Sequence, residues 1–120
     1  RGLSERTRKS FGRAHINALK PGTVFVNTAR AGVVDTEALL ERLKKNDVFA
    51  CLDVFDEEPL PSNNPFRALP NVFLTSHISG STDASYKVAD SAVVENVLKY
   101  LEGTYRGSIV HSSDMLKSMT

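Results

Sequence analysis

Three short apolar runs recur along the chain at nearly equal intervals, each leading to one polar side chain with chemistry to offer. Val24-Phe25-Val26 leads to Arg30, Phe49-Ala50-Cys51-Leu52 leads to Asp53, and Val72-Phe73-Leu74 leads to His77. The three polar residues stand 23 and 24 positions apart, about one strand-plus-helix unit each. Runs this short, rich in β-branched and aromatic residues, read as strands rather than buried helices. Strands that alternate with helix-length segments build a parallel sheet, and residues just past the carboxyl ends of such strands face a common crevice. The spacing therefore predicts that a guanidinium, a carboxylate and an imidazole converge on one small anionic molecule.

The intervening segments fit that scheme. Phe11, Ala14, Ile16 and Leu19 give residues 11–19 one apolar helix face, stopped by the Pro21-Gly22 turn. Strands are expected over 23–27, 48–52 and 72–74. Asp35 is a good N-cap, Glu37 suits the positive end of the next helix dipole, and Leu39, Leu40 and Leu43 form its buried face, with Lys44-Lys45 in the last turn. Pro59, Pro61, Pro65 and Pro70 make the segment before the third strand a loop in which no regular element is expected. A last helix begins near Thr82 or Asp83, with Val88, Ala92, Val93, Val97 and Leu101 as its buried stripe and Gly103 as its stop. The fold class is α/β with three parallel strands, whose continuous apolar character fits a sheet covered on both faces.

Composition narrows the function. The 120 residues suffice for one core. Fifteen Lys and Arg against fourteen Asp and Glu leave a net charge of +1 with the signs interspersed, so no basic stripe points to nucleic acid. No apolar run approaches the length of a membrane span. The cluster Arg6-Thr7-Arg8-Lys9 is a solvated helix entry. The single cysteine, Cys51, cannot make an intrachain disulfide and suits a reducing, cytoplasmic setting; inside an apolar run it reads as a small buried hydrophobe.

Each strand-end residue has a bland reading beside the functional one. Arg30, in the small turn Asn27-Thr28-Ala29-Arg30-Ala31-Gly32, is either an exposed loop arginine or a two-pronged donor matched to a carboxylate. Asp53 opens the acidic segment Asp53-Val54-Phe55-Asp56-Glu57-Glu58-Pro59, which alone could be a solvated loop, a Mg²⁺ site or a phosphoacceptor. A receiver-type phosphoacceptor needs an acidic pair after the first strand, and none occurs upstream. His77 is the one histidine at a strand end, since His15 lies on a polar helix face and His111 in the tail. A carboxylate within hydrogen-bond reach, which the acidic loop could supply, would orient its ring for proton transfer. Ser79-Gly80-Ser81-Thr82 reads equally as an ordinary helix N-cap or as small residues that let a cofactor approach the backbone.

These residues resemble the D-isomer-specific 2-hydroxyacid dehydrogenase family. The resemblance runs from about Leu3 to Thr120 in three blocks: Leu19-Lys20-Pro21-Gly22 through Arg30 to Val34-Asp35, then Leu52-Asp53-Val54-Phe55-Asp56-Glu57-Glu58-Pro59-Leu60, then Pro70-Asn71-Val72 through Thr75-Ser76-His77-Ile78-Ser79-Gly80-Ser81-Thr82. It implies that Arg30 binds the substrate carboxylate and keto oxygen, that His77 is the acid/base, and that Glu58 pairs with His77 and keeps it protonated. It also implies that Asp53 contacts the nicotinamide end of NAD, with Thr28, Ala29 and Gly80 along the cofactor beside Arg30 and His77. No metal is implied. NADP remains open beside NAD, and the implied partners are a 2-hydroxyacid or 2-ketoacid and a second subunit in a homodimeric parent.

Ala31, Ser76 and Ser79 depart mildly from the family pattern, and Arg1-Gly2 stands where an apolar strand ending in proline belongs. The glycine-rich G-x-G-x-x-G phosphate loop does not occur within the 120 residues. The expectation is therefore the C-terminal half of a Rossmann-like doubly wound sheet without its substrate domain. Residues 1–110 would be a partial NAD-binding domain and 111–120 a C-terminal tail. Such a piece would be inactive alone. The alternative is a non-catalytic NAD(H)-sensing, co-repressor-like protein of the same fold.

Overall fold

A computed structural model describes residues 3–107, which group into two compact units, one running to Ile78 and one beginning at Ser79. Arg1-Gly2 and the tail with His111 lie outside the described residues.

In the first unit α1 (Arg13–Asn17) is followed by β1 (Val24–Asn27), α2 (Thr36–Leu43), β2 (Phe49–Leu52) and β3 (Val72–Leu74). The three strands form one parallel sheet in the order β1-β2-β3, with Asn27 opposite Leu52 and Leu52 opposite Leu74. The carboxyl ends of all three strands are thus in register. Gly22, at φ 83° in the turn before β1, donates to the Asp47 carbonyl at 2.6 Å and fixes the entries of β1 and β2 together. That φ is available to glycine at no steric cost.

The core lies on one face of the sheet. Ile16 of α1, Ala38, Leu39 and Leu43 of α2, Ala50 and Leu52 of β2, and Val34, Val48 and Phe66 make one buried cluster. Burying a Leu or Ile side chain contributes about 1.5–3 kcal/mol, so Ile16 and Leu43, both fully buried, weigh heavily in a unit this small. Asp35 caps α2 by accepting from the Ala38 N–H at 3.2 Å. At the other end of α2, buried Arg42 donates to both Asp47 carboxylate oxygens and, at 3.0 Å, to the Leu19 carbonyl. A buried guanidinium is tolerable because its donors are met this way.

The three strands, α2 and the last helix form where the sequence predicts them, with the first two strands each starting one residue later. Three expectations for the first unit need correction. Helix 11–19 shrinks to the five residues of α1, because Phe11 is instead engaged in a bridge to Val34 and Leu19 belongs to the turn before β1. The proline-rich loop does hold a regular element, a 3₁₀ turn at Pro65–Ala68: Pro65 needs no N–H in the first turn, and the Asn64 side chain accepts from Phe66 N–H at 3.0 Å. A second 3₁₀ turn at Ala31–Val33 joins β1 to α2. Within the first unit, α1 and α2 pack on one face of the sheet, while Val24, Val26, Phe49 and Phe73 point to the other and are each more than half exposed, with half-buried Cys51 among them. Cys51 is therefore not the buried hydrophobe its neighbours suggest.

In the second unit α3 (Asp83–Leu101) is capped by Thr82, whose hydroxyl accepts from Ser85 N–H while the Ser85 hydroxyl accepts from Thr82 N–H, both at 3.1 Å. Gly103, at φ 71°, follows its end. The expected stripe of Val88, Ala92, Val93, Val97 and Leu101 is not buried; every residue of the helix is exposed. Val94 and Leu98 also project from the helix, so its apolar surface is broader than a single stripe.

Candidate active site

The β1 end is shaped by Asn27, the last strand residue and buried. Its side-chain oxygen accepts from Ala29 N–H at 3.1 Å and its amide donates to the Arg30 carbonyl at 3.2 Å. This local loop-back turns the backbone at the strand end and leaves Thr28 and Arg30 exposed and Ala29 half-buried. The Arg30 guanidinium donates to its neighbour's Ala29 carbonyl at 2.7 Å. It is an exposed cation on the carboxyl edge of the sheet. The structure records no bond from it to Glu58 or His77.

The β2 and β3 ends are joined by Asp53, which is 2% exposed. Its N–H donates to the Asn27 carbonyl at 3.0 Å, extending the ladder one step beyond β1. Its Oδ1 accepts from the Thr75 hydroxyl and, at 2.9 Å, from Ile78 N–H. Thr75 N–H in turn donates to the Leu52 carbonyl at 3.0 Å. His77 sits between these two anchor points at φ 58°, a left-handed conformation that few non-glycine residues adopt, though histidine does so more readily than most.

From that position His77 Nδ1 meets Glu58 Oε2 at 2.8 Å. Glu58 is itself held by its own loop, since Oε1 accepts from Phe55 N–H at 2.9 Å. The bond from His77, and then the one from Phe55, hold the Glu58 carboxyl below the usual glutamate range, because both favour its charged form. The pair lines a cleft of about 730 Å³ together with Phe55, Leu60, Arg67 and Thr75. Arg67 reaches back from its 3₁₀ turn, donating to the Pro61 carbonyl at 2.9 Å and the Leu60 carbonyl at 2.7 Å. It both braces the proline loop and adds a cation to the cleft wall.

Of the residues singled out in the sequence, the structure thus bonds Glu58 to His77 and ties Asp53 to the backbone around His77. Thr28, Ala29 and Arg30 form the neighbouring strand-end turn. Gly80 belongs to the second unit, where its carbonyl accepts from the Ser85 hydroxyl at 2.5 Å and a Cβ would meet nothing within 4 Å, so no close approach there demands glycine. Asn27, Thr75 and Arg67 escape the sequence reading. Asparagine at a strand end before a small turn is a usable signal for the first; nothing local marks the other two. Among the described residues no three His, Cys, Asp or Glu side chains gather as a metal shell requires, and no helix is long and apolar enough to cross a membrane.

This arrangement offers an imidazole oriented through one nitrogen, its carboxylate partner and, past the end of β1, an exposed guanidinium, all at the carboxyl edge of a parallel sheet, where cofactors of such folds bind. Comparison with known proteins agrees on the family. Residues 2–79 match the family described as D-isomer specific 2-hydroxyacid dehydrogenase, NAD binding domain. The chain is 40% identical over 110 residues to the D-3-phosphoglycerate dehydrogenase of Methanocaldococcus jannaschii, covering 91% of this chain and 21% of that one. It is 39% identical over 103 residues to glyoxylate/hydroxypyruvate reductase B of Escherichia fergusonii, covering 84% and 32%. A D-isomer specific 2-hydroxyacid dehydrogenase of Xanthobacter autotrophicus Py2, solved in complex with NADPH and MES, superposes with a TM-score of 0.72 at 34% identity, covering 84% of this chain and 41% of that one. The chain therefore spans between about a fifth and two fifths of the length of these relatives. It belongs to the D-isomer specific 2-hydroxyacid dehydrogenases, and what it presents is a Rossmann-like portion of their NAD binding domain.

Proposed function

We propose that the full-length protein carrying this chain is an oxidoreductase that moves a hydride between NAD(H) and a small D-2-hydroxyacid or its 2-ketoacid. The observation that carries the reading is the His77–Glu58 pair, 2.8 Å apart in a cleft beside the carboxyl ends of three parallel strands. The exposed turn Thr28-Ala29-Arg30 and the buried Asp53 offer the kind of strand-end surface on which the nicotinamide end of a dinucleotide lies; family resemblance alone adds Gly80 to the proposal. When bound, the reduced cofactor supplies the hydride that adds to the keto carbon.

The chain's own residues do the rest. Arg30 offers paired N–H donors to the substrate carboxylate and fixes the keto group's direction. Glu58 accepts from Nδ1 and fixes the ring, so Nε2 is the nitrogen that gives a proton to the keto oxygen. In the reverse direction the same nitrogen takes the proton from the hydroxyl. The reading includes a cytoplasmic setting, which a single cysteine supports, and a homodimeric parent, which the resemblance implies.

The test is His77→Ala in the full-length protein, with both NADH and NADPH assayed. Ketoacid-dependent oxidation of the cofactor should fall by about 10²–10⁴-fold, the usual worth of a general acid, while cofactor affinity stays unchanged. Unchanged turnover would remove His77 from the mechanism. The 120-residue chain alone, which contains no G-x-G-x-x-G, should bind NADH weakly and reduce no ketoacid. Tight binding by the chain alone would contradict this.

A further inference from the structure

We propose that Asp53 and Thr75 form a clamp that sets the backbone of His77 in its left-handed conformation, and that this conformation is what brings the imidazole to Glu58. This deepens the preceding reading, on which it rests for the importance of His77. It assigns to Asp53 a positioning role in addition to facing a cofactor, and to Thr75 a role of its own.

Four observations converge on it. His77 has φ 58°, one of three non-glycine residues with positive φ among the described ones. Left-handed backbone at a residue with a Cβ persists only when its surroundings determine it. The surroundings here are specific: Asp53 Oδ1 binds the hydroxyl two residues before His77 and the N–H immediately after it. Both ends of the tight turn are therefore referred to one buried oxygen. That oxygen is itself well fixed, because Asp53 N–H continues the ladder to Asn27 and Thr75 N–H bonds to Leu52.

A carboxylate suits the task. It accepts without needing to donate, so one oxygen can receive an O–H and an N–H at once. Buried at 2% exposure, these bonds face little competition from water. The alternative assignment, a merely structural aspartate at a strand end, predicts loss of stability on substitution but no particular response at the imidazole. The two are separable because the His77–Glu58 contact can be observed directly, without turnover.

The experiment compares Asp53→Ala, Asp53→Asn and Thr75→Val in the full-length protein by NMR. The readouts are the His77 ring-nitrogen shifts, which report the Nδ1 bond, and hydrogen exchange of the Ile78 amide. Methyl signals of Ile16, Leu43 and Val48 serve as the measure of an intact core. Asp53→Ala should speed Ile78 exchange at least tenfold and erase the Nδ1 signature of the Glu58 bond. Asp53→Asn, whose side-chain oxygen can still accept, should retain both. Thr75→Val should give an intermediate loss; it also decides the question if Asp53→Ala does not fold. An unchanged ring signature in a folded Asp53→Ala or, failing that, in Thr75→Val overturns the proposal. Because no step depends on catalysis, that result is distinct from unchanged turnover in His77→Ala.

Discussion

Glu58 commits its two carboxylate oxygens to different partners, His77 and its own loop's Phe55 N–H, and the consequence can be read by titration. A glutamate held below its ordinary value in the folded state adds stability at pH values above the ordinary range. That stability is lost as pH falls through the lowered folded value, because the unfolded chain takes the proton first. The Glu58 carboxyl carbon, followed by NMR, should therefore titrate below the ordinary 4.5. In His77→Ala its midpoint should return most of the way, the Phe55 bond sustaining the remainder. A midpoint at or above 4.5 in the unsubstituted chain would contradict the pairing. Asn71 makes a different kind of residue-scale statement. It is buried at the entry to β3, and its amide donates to the Leu43 carbonyl at 2.9 Å and the Val48 carbonyl at 2.7 Å. It thereby ties the end of α2 and the approach to β2 to the third strand, while its own side-chain oxygen has no partner among the described residues. Asn71→Ala leaves two buried carbonyls without that donor and should cost about 2–3 kcal/mol in denaturant unfolding, well above the cost of an exposed asparagine.

Among the elements, α2 is the one whose sequence and structure agree most closely, and the reason is that each of its signals is local. Asp35 precedes the first turn and caps it, and Leu39 and Leu43 recur at helical spacing and are buried. Asp35→Ala should lower stability by about 1 kcal/mol, with Asp35→Ser restoring most of it; a loss below a few tenths would mean that the cap contributes nothing. The strands were equally legible, because short β-branched and aromatic runs between turn residues admit few other readings. What could not be read is what depends on partners far along the chain. Three-residue and four-residue 3₁₀ turns have no periodicity to detect. The left-handed φ of His77 has no sequence signature. Spacing singles out Asp53 as a strand-end carboxylate, but only the meeting of β2 with the residues after β3 shows it buried. The Glu58–His77 pairing was expected from family resemblance, whereas spacing alone pointed only to some carboxylate of the acidic loop. The spacing of Val88, Ala92, Val93, Val97 and Leu101 suggests a buried stripe on α3, but periodicity reports what a face could cover and says nothing about whether anything covers it.

At the scale of the whole molecule the first unit governs, through an imbalance between the two faces of its sheet. One face is packed by α1 and α2; the other presents Val24, Val26, Phe49 and Phe73, at 58, 59, 51 and 66% exposure, as a contiguous apolar patch across all three strands. The outer edges of β1 and β3 carry no further strand among the described residues. Contiguous apolar surface and open strand edges both favour association in water, and a net charge of +1 supplies little repulsion to oppose it. The 120-residue chain in isolation should therefore self-associate at tens of micromolar, visible as a concentration-dependent sedimentation coefficient. Raising the salt should strengthen this association or leave it unchanged, as expected for apolar contact rather than ion pairing. Phe73→Lys places a charge at the β3 margin of the patch, on an edge strand, and should shift the distribution toward monomer. Phe73 projects from the face opposite Val72 and Leu74, so the same substitution should leave the His77–Glu58 resonances unchanged. A chain that stays monomeric at every concentration would mean that this face is covered in solution, and that the imbalance does not govern its behaviour.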